Sequence, residues 1–265
     1  MTISDPKQRF SNRVEDYVRY RPSYPPEILD PLRAECGFTT GSVVADLGSG
    51  TGFLTKLFLE NGNRVYGVEP NAAMRAAGEQ YLKEYPRFQS VSGSAEATTL
   101  PAAVADFVVA GQAFHWFEVE PARREIQRVL KPDGWVAILW NERCHDASVL
   151  LREYEDLLRA YGTDYDKVSD RYPDSAKLEK FFGPGACREK SFPNEQLFDF
   201  AGLRGRLLSS SYAPVPGHAN YEPMLAELAR LFEAHARDER VRFVYETRVH
   251  YGRFDRAPRK DSGPQ

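Results

Sequence analysis

Cysteine is scarce. The chain of 265 residues has three, Cys36, Cys144 and Cys187, odd in number and far apart, which excludes the disulfide framework of a small secreted domain. Long apolar runs are also missing: WVAILW, ending at Trp140, falls well short of the roughly 20 residues a membrane-spanning helix needs. The opening MTISDPKQRF lacks the basic-then-apolar pattern of a signal peptide, so a reduced, cytoplasmic location is expected. Positive charge is not in excess. Thirty-five Lys and Arg against 38 Asp and Glu give a net charge of −3, which argues against a protein whose main work is gripping nucleic acid. No internal repeat or low-complexity tract interrupts the chain. What is present is 42% hydrophobic and 28% charged, enough at this length to bury a core in one or two domains without cross-links.

The middle of the chain alternates between two hydrophobic periods. Short β-branched runs at 42–47, 64–69, 87–93, 105–111 and 134–140 read as strands. Helical spacing fills 51–62, where Phe53, Leu54, Leu57 and Phe58 share a face, then 71–85 behind the capping residue Asn71, and 120–130 before the Lys131-Pro132-Asp133-Gly134 turn. Strands alternating with helices predict a parallel sheet covered on both faces. The ends differ. Phe10, Val14, Tyr17 and Arg21 make one face of an amphipathic helix over 4–21, and a second helix is expected over 26–36. Helices are predicted over 149–162, in SAKLEKFFG and FDFAGLRGRLL, and over 221–237, with a possible strand near 188–193. From Val241 to Tyr251 apolar and polar residues alternate, as in a half-buried antiparallel strand.

The most informative stretch is VVADLGSGTGFLT, residues 43–55, in which a strand runs through Gly48-Ser49-Gly50-Thr51-Gly52 into a helix. Glycines let a backbone turn sharply and approach a ligand without an intervening Cβ, near a helix N-terminus. Glu69 closes the next strand 19 residues after Gly50, where a carboxylate can accept both hydroxyls of a ribose. The dinucleotide pattern G-x-G-x-x-G is not met, because position 53 is Phe and the third glycine comes one residue early. Nor does the Gly-Lys-Ser/Thr of a phosphate loop follow. Asp46, two residues before the first glycine, is badly placed for a pyrophosphate and well placed for a ligand amine or its water. The loop thus asks for a ligand with a ribose and an ammonium group but no phosphate.

The run of Asp46, Gly48, Gly50 and Gly52, with Glu69 following, resembles the first two motifs of class I S-adenosylmethionine (SAM)-dependent methyltransferases. Gly93-Ser94-Ala95-Glu96 after the third strand, Gln112-Ala113-Phe114-His115-Trp116-Phe117 after the fourth, and Leu130-Lys131-Pro132-Asp133-Gly134 before the fifth agree with that family. With Asp16-Tyr17, Tyr20-Arg21-Pro22 and Tyr24-Pro25 near the start, the chain is similar to its small-molecule branch, the methyltransferase type 11 and trans-aconitate methyltransferase-like enzymes. The likeness spans residues 10–142 and thins afterwards. Ser94 departs from it, standing where many relatives carry the aspartate that reads the adenine amino group.

The resemblance implies a Rossmann-like α/β fold: a seven-stranded, mostly parallel sheet with an antiparallel last strand, helices on both faces, an N-terminal helical lid and a helical insert in the C-terminal half. One domain over 1–255 is expected, with the lid and helices in 1–36, the cofactor-binding core in 37–142, a substrate-side insert in 163–237 and a disordered tail at 256–265. It implies SAM as cofactor, S-adenosylhomocysteine as product, and cofactor contacts from Tyr17, Tyr20 and Arg21 of the lid. Further contacts are implied for Asp46, Gly48, Ser49, Gly50 and Gly52; for Glu69, Pro70 and Met74, the last also readable as helix core; for Ser94, Ala95 and Glu96; and for Gln112 and Ala113. The substrate pocket is assigned to Tyr24, Phe114, His115, Trp116 and Arg143.

His115 is open to two readings: a base that takes a proton from the acceptor, or a group that shapes the pocket and orients substrate. Arg143 could anchor a substrate carboxylate or sit on a surface loop. No metal is expected, since Cys144-His145-Asp146 has no second cluster at zinc spacing and the stretch after strand four offers no carboxylates for magnesium. The Asn-Pro-Pro-Tyr motif of amino-methylating nucleic-acid enzymes is absent. The expected protein is a methyltransferase acting on a small molecule, at carboxylate or hydroxyl oxygen, as a monomer or homodimer with no nucleic-acid or membrane partner. A SAM-binding protein that does not methylate is the alternative, and a nucleotide-dependent oxidoreductase the more distant one.

Overall fold

A computed structural model describes residues 20–163, 165 and 175–254. Seven strands form one sheet: β1 (Val43–Leu47), β2 (Arg64–Val68), β3 (Phe88–Val91), β4 (Ala105–Gly111), β5 (Leu130–Arg143), β6 (Cys187–Phe198) and β7 (Val241–Gly252), in the order β3-β2-β1-β4-β5-β7-β6. The first five run parallel, and β7 is antiparallel to both β5 and β6. This is the Rossmann-like sheet with its antiparallel last strand. Eight helices accompany it among the described residues: α1 (Leu29–Cys36), α2 (Phe53–Glu60), α3 (Ala72–Tyr81), α4 (Val119–Val129), α5 (Val149–Tyr161), α6 (Ser175–Phe182), α7 (Phe200–Leu208) and α8 (Tyr221–His235).

The side-chain period of two sorts the strands onto two faces. Val44, Val65, Phe107, Val109, Ala137 and Leu139 pack with Leu29 and Leu32 of α1 and Leu54 and Phe58 of α2. Their neighbours Ala45, Val108, Ala110, Val136 and Ile138 face the other way, onto Ala122, Ile126 and Val129 of α4 and Phe181 and Phe182 of α6. Each fully buried Leu, Val or Phe there contributes about 1.5–3 kcal/mol. A third apolar cluster lies outside this sandwich, where α5, α7 and α8 close over Val241, Phe243 and Tyr245 of β7.

Two elements depart from the sequence reading. The strand expected near 188–193 runs over 187–198 and forms a sheet edge, so the 163–237 stretch is not purely helical. The Lys131–Gly134 turn is absorbed into β5: the pairing steps from Ala105↔Leu130 to Phe107↔Trp135, leaving the turn residues as an irregularity inside the strand. The amphipathic face at Phe10, Val14 and Tyr17 and the tail at 256–265 lie outside the described residues. No helix among those described is long and apolar enough to cross a membrane.

Candidate active site

β1, β2, β4 and β5 all end at one edge of the sheet, and β7, running the other way, begins there; Arg143 at the end of β5 pairs with Tyr245 near the start of β7. The loop after β1 turns back on itself with φ of +68° at Gly48 and +56° at Gly50, a region L side chains rarely enter. At Gly48 space is short as well, since a Cβ would lie 2.6 Å from the Cβ of Ala113. The N–H groups of Gly48 and Ser49 donate to the Val68 carbonyl at 2.8 and 3.1 Å, binding the loop to the end of β2.

Glu69 is clamped in place. Its Oε2 accepts the Gly50 N–H at 2.9 Å and its Oε1 the Asn71 N–H at 2.8 Å, so the carboxylate cannot rotate while each oxygen keeps acceptor capacity. Asn71 caps α3 by accepting the N–H groups of Ala73 and Met74, worth about 1 kcal/mol. Asp46 is 1% exposed. Thr55 donates to its Oδ2 at 2.6 Å, whereas Oδ1, like the neighbouring Thr51 hydroxyl, is buried with no hydrogen-bond partner. Burial, helped by the negative Glu69 and opposed by the Thr55 bond, pushes the Asp46 carboxyl up to about 7.

Two cavities meet at this edge. The smaller, of about 160 Å³, runs from Glu69 and Met74 past Ser94–Glu96 to Ala113 and Phe117. The larger, of about 220 Å³, extends from Asp46 and Ser49 towards Arg143, Arg206 and Tyr245. Both are walled by Gly48, Gly50, Gly111, Gln112 and Trp116, so they form two lobes of one space. Gln112 holds the junction in a strained backbone, φ +56°, with its Nε2 donating to the Asn141 carbonyl at 3.0 Å.

Residues 45–138 match the family described as a methyltransferase domain. An uncharacterised methyltransferase of Mycobacterium tuberculosis is 37% identical over 175 residues, covering 64% of this chain and 67% of that protein. The chain belongs to the class I SAM-dependent methyltransferases. An uncharacterised methyltransferase of Schizosaccharomyces pombe is 36% identical over 135 residues, 51% of this chain, and the match spans about half of that protein, 53%. The fold is that of a solved structure from Anaeromyxobacter dehalogenans, provisionally assigned as a type II methyltransferase: TM-score 0.64, 23% identity, 88% of this chain and 98% of that one.

The methyltransferase cofactor is SAM, and the residues present fit it. The unpartnered Asp46 Oδ1 suits an ammonium group, and the fixed Glu69 carboxylate suits a vicinal diol. Most residues expected at the site surround the two lobes. Gly48, Gly50, Glu69, Pro70, Met74, Ser94, Ala95, Glu96, Gln112 and Ala113 line the smaller one. Arg21, Tyr24, Asp46, Ser49, His115, Trp116 and Arg143 line the larger. Three expected residues line neither. Gly52 is the N-cap of α2 at φ +92°, where a Cβ would strike Leu82. Phe114 is fully buried beneath the site, edge-on to Phe117, Trp140 and Phe181. Tyr20 lies against Gly205 instead. Tyr17 lies outside the described residues. Among these residues no group of three or more His, Cys, Asp and Glu could hold a metal ion.

Sequence reasoning missed the far wall of the larger lobe: Tyr165, Arg206, Tyr212 and Tyr245. Arg143, expected to be either an anchor or a surface residue, is partly buried, its side chain 9% exposed, and pairs with Glu155 at 2.5 Å; Tyr165 donates to the same carboxylate and Arg159 approaches it from outside at 3.5 Å. Arg206 is buried, with Nε donating to the Tyr245 hydroxyl at 3.4 Å and Nη1 to Ser210 Oγ at 3.0 Å. Burial by itself would raise the Tyr212 phenol, but the guanidinium groups of Arg143, Arg206 and Arg21 outweigh it and hold this phenol below its ordinary value.

Proposed function

We propose that this methyltransferase acts on oxygen of a small molecule bound in the larger lobe, with residues 1–255 working as one unit. The observation that carries the reading is the joining of the two lobes across Gly48, Gly50 and Gln112, which brings an acceptor and the cofactor together in a space of limited volume. When bound, SAM supplies an electrophilic methyl carbon on its sulfonium. The chain's task is alignment, which can contribute roughly 7–11 kcal/mol. Glu69 takes the ribose hydroxyls, Asp46 the amino group or its water, and the Ser94–Glu96 turn the adenine edge. Arg21, at the wall of the larger lobe, is the residue of the expected lid that would reach the methionine carboxylate. His115, whose carbonyl is held by Lys177 at 3.2 Å, orients the acceptor. It takes a proton only where the acceptor is a hydroxyl, because a carboxylate is already ionised at neutral pH. The mild negative charge of the chain favours such an acceptor over a nucleic acid.

Incubation with methyl-labelled SAM and a panel of small acids and phenols is expected to label an acceptor and release one S-adenosylhomocysteine per methyl. Saturable SAM binding with no turnover on any member would overturn the reading. Removal of residues 1–22 should abolish cofactor binding while the far-UV spectrum of the sheet persists; retained affinity would remove the lid.

A further inference from the structure

We propose that the acceptor carries a carboxylate and that Arg206 is the side chain that selects it. The inference rests on the larger lobe being the acceptor site. Arg206 is 5% exposed on α7, lines that lobe, and cannot shed its charge. A buried or partly buried guanidinium is ordinarily matched by a carboxylate, as Arg143 is by Glu155 at 2.5 Å. Arg206 has no such match: its partners among the described residues are the neutral hydroxyls of Tyr245 and Ser210. Those bonds use Nε and Nη1, and leave the Nη2 hydrogens without an acceptor among the described residues.

The ionisable side chains that act most strongly on Arg206 are the phenols of Tyr245, Tyr212 and Tyr154, not carboxylates. Arg143 has its carboxylate in Glu155, which Arg159 also approaches, whereas Arg206 has none among the described residues; the planar, singly charged carboxylate of a ligand is its geometric and electrostatic match. The fixed pair and the unmatched arginine have separate tasks: Arg143–Glu155 shapes the wall, and Arg206 reads the ligand.

The test uses the full chain saturated with S-adenosylhomocysteine, titrated with short aliphatic and aromatic mono- and dicarboxylic acids, each beside its primary amide. At least one acid should bind about tenfold or more tightly than its amide. Arg206→Met should erase that preference with S-adenosylhomocysteine affinity unchanged. Arg206→Lys, which keeps the charge without the fork, should preserve the preference at weaker affinity, separating ligand recognition from a merely structural role. Amides binding as well as acids, no acid binding at all, or a preference that survives in Arg206→Met would each overturn the proposal. Collapse of the fold in Arg206→Met would show in its thermal midpoint, and the Arg206→Lys result then decides. Failure of the wild-type chain to bind S-adenosylhomocysteine would overturn the cofactor reading as well, and it is read in the first titration, before any acid is added.

Discussion

The two lobes of the cavity handle charge in opposite ways. The cofactor side is built from carboxylates: Glu69 and Glu96 line the smaller lobe, and the buried Asp46 stands at the near end of the larger one, beside the shared wall. The far side is built from guanidinium groups and phenols, with Glu155 the carboxylate that balances Arg143. A ligand with a cationic end therefore settles on one side and an anionic one on the other, and the two are drawn towards the shared wall at Gly48 and Gln112. Polarity of the site, in this protein, is a means of sorting two ligands before any chemistry begins. The lobes also differ in construction. Glu69 and Glu96 in the acidic lobe are held by backbone N–H groups, whereas Arg143 and Arg206 in the basic one are held by other side chains.

Substitutions in each lobe should separate these roles. The largest effect is expected from Gly48→Val. A branched side chain would meet Ala113 at the shared wall and require a positive φ, so SAM affinity should fall more than a hundredfold by isothermal titration. In the basic lobe, Glu155→Gln leaves the partly buried Arg143 without its counter-charge and should cost about 3–5 kcal/mol in urea unfolding, with little change in the SAM affinity of the folded protein. Glu69→Gln puts an NH2 group opposite the N–H of Gly50 or Asn71 and opens one side of the clamp; tenfold or more weaker binding of S-adenosylhomocysteine is expected, with a loss of about 1–3 kcal/mol of stability.

Asp46 gives the comparison a pH axis. Its folded value near 7 lies above the unfolded value near 4, so between these the native state holds a proton that the unfolded chain lacks. The ligand-free protein should lose stability as pH rises through that window, by a few kcal/mol, and Asp46→Asn should remove the loss. Cofactor binding has the opposite slope. A ligand ammonium selects the ionised carboxylate, so affinity should climb up to tenfold per pH unit below about 7 and flatten above it. A flat profile in the wild type would detach Asp46 from the amine. The smallest effect is expected from Lys177→Ala, which frees the Phe114 and His115 carbonyls and should lower turnover two- to threefold, about half a kcal/mol.

The acidic side of the site was legible in the sequence because its parts are local. Asp46, Gly48 and Gly50 fall within five residues, and Glu69 follows at the end of the next strand, so spacing alone carries the geometry. The basic lobe assembles Arg143 from β5, Tyr165 from beyond α5, Arg206 from α7 and Tyr245 from β7, and nothing in the linear order brings these together. The one local hint was Arg206, the second of two arginines inside the largely apolar run FAGLRGRLL, which reads only as helix. Phe114 and Gly52 failed in the converse sense. Each sits inside a site motif, but one side chain turns into the core and the other residue starts a helix, because a motif fixes the path of the chain and not the direction of every residue along it.

Asn141 has a consequence for how ligands come and go. Its Nδ2 donates to the carbonyls of Pro22 and Ser23, while its Oδ1 accepts from Thr247 at 2.5 Å and from Asn194 at 3.1 Å. One amide thus rivets the segment before Tyr24 to three adjacent strands, and the Tyr24 hydroxyl fits at that position only because residue 111 is glycine, where a Cβ would approach it to 2.4 Å. Tyr24 is consequently a doorpost and not a door. A ligand in the larger lobe meets a fixed jamb on that side.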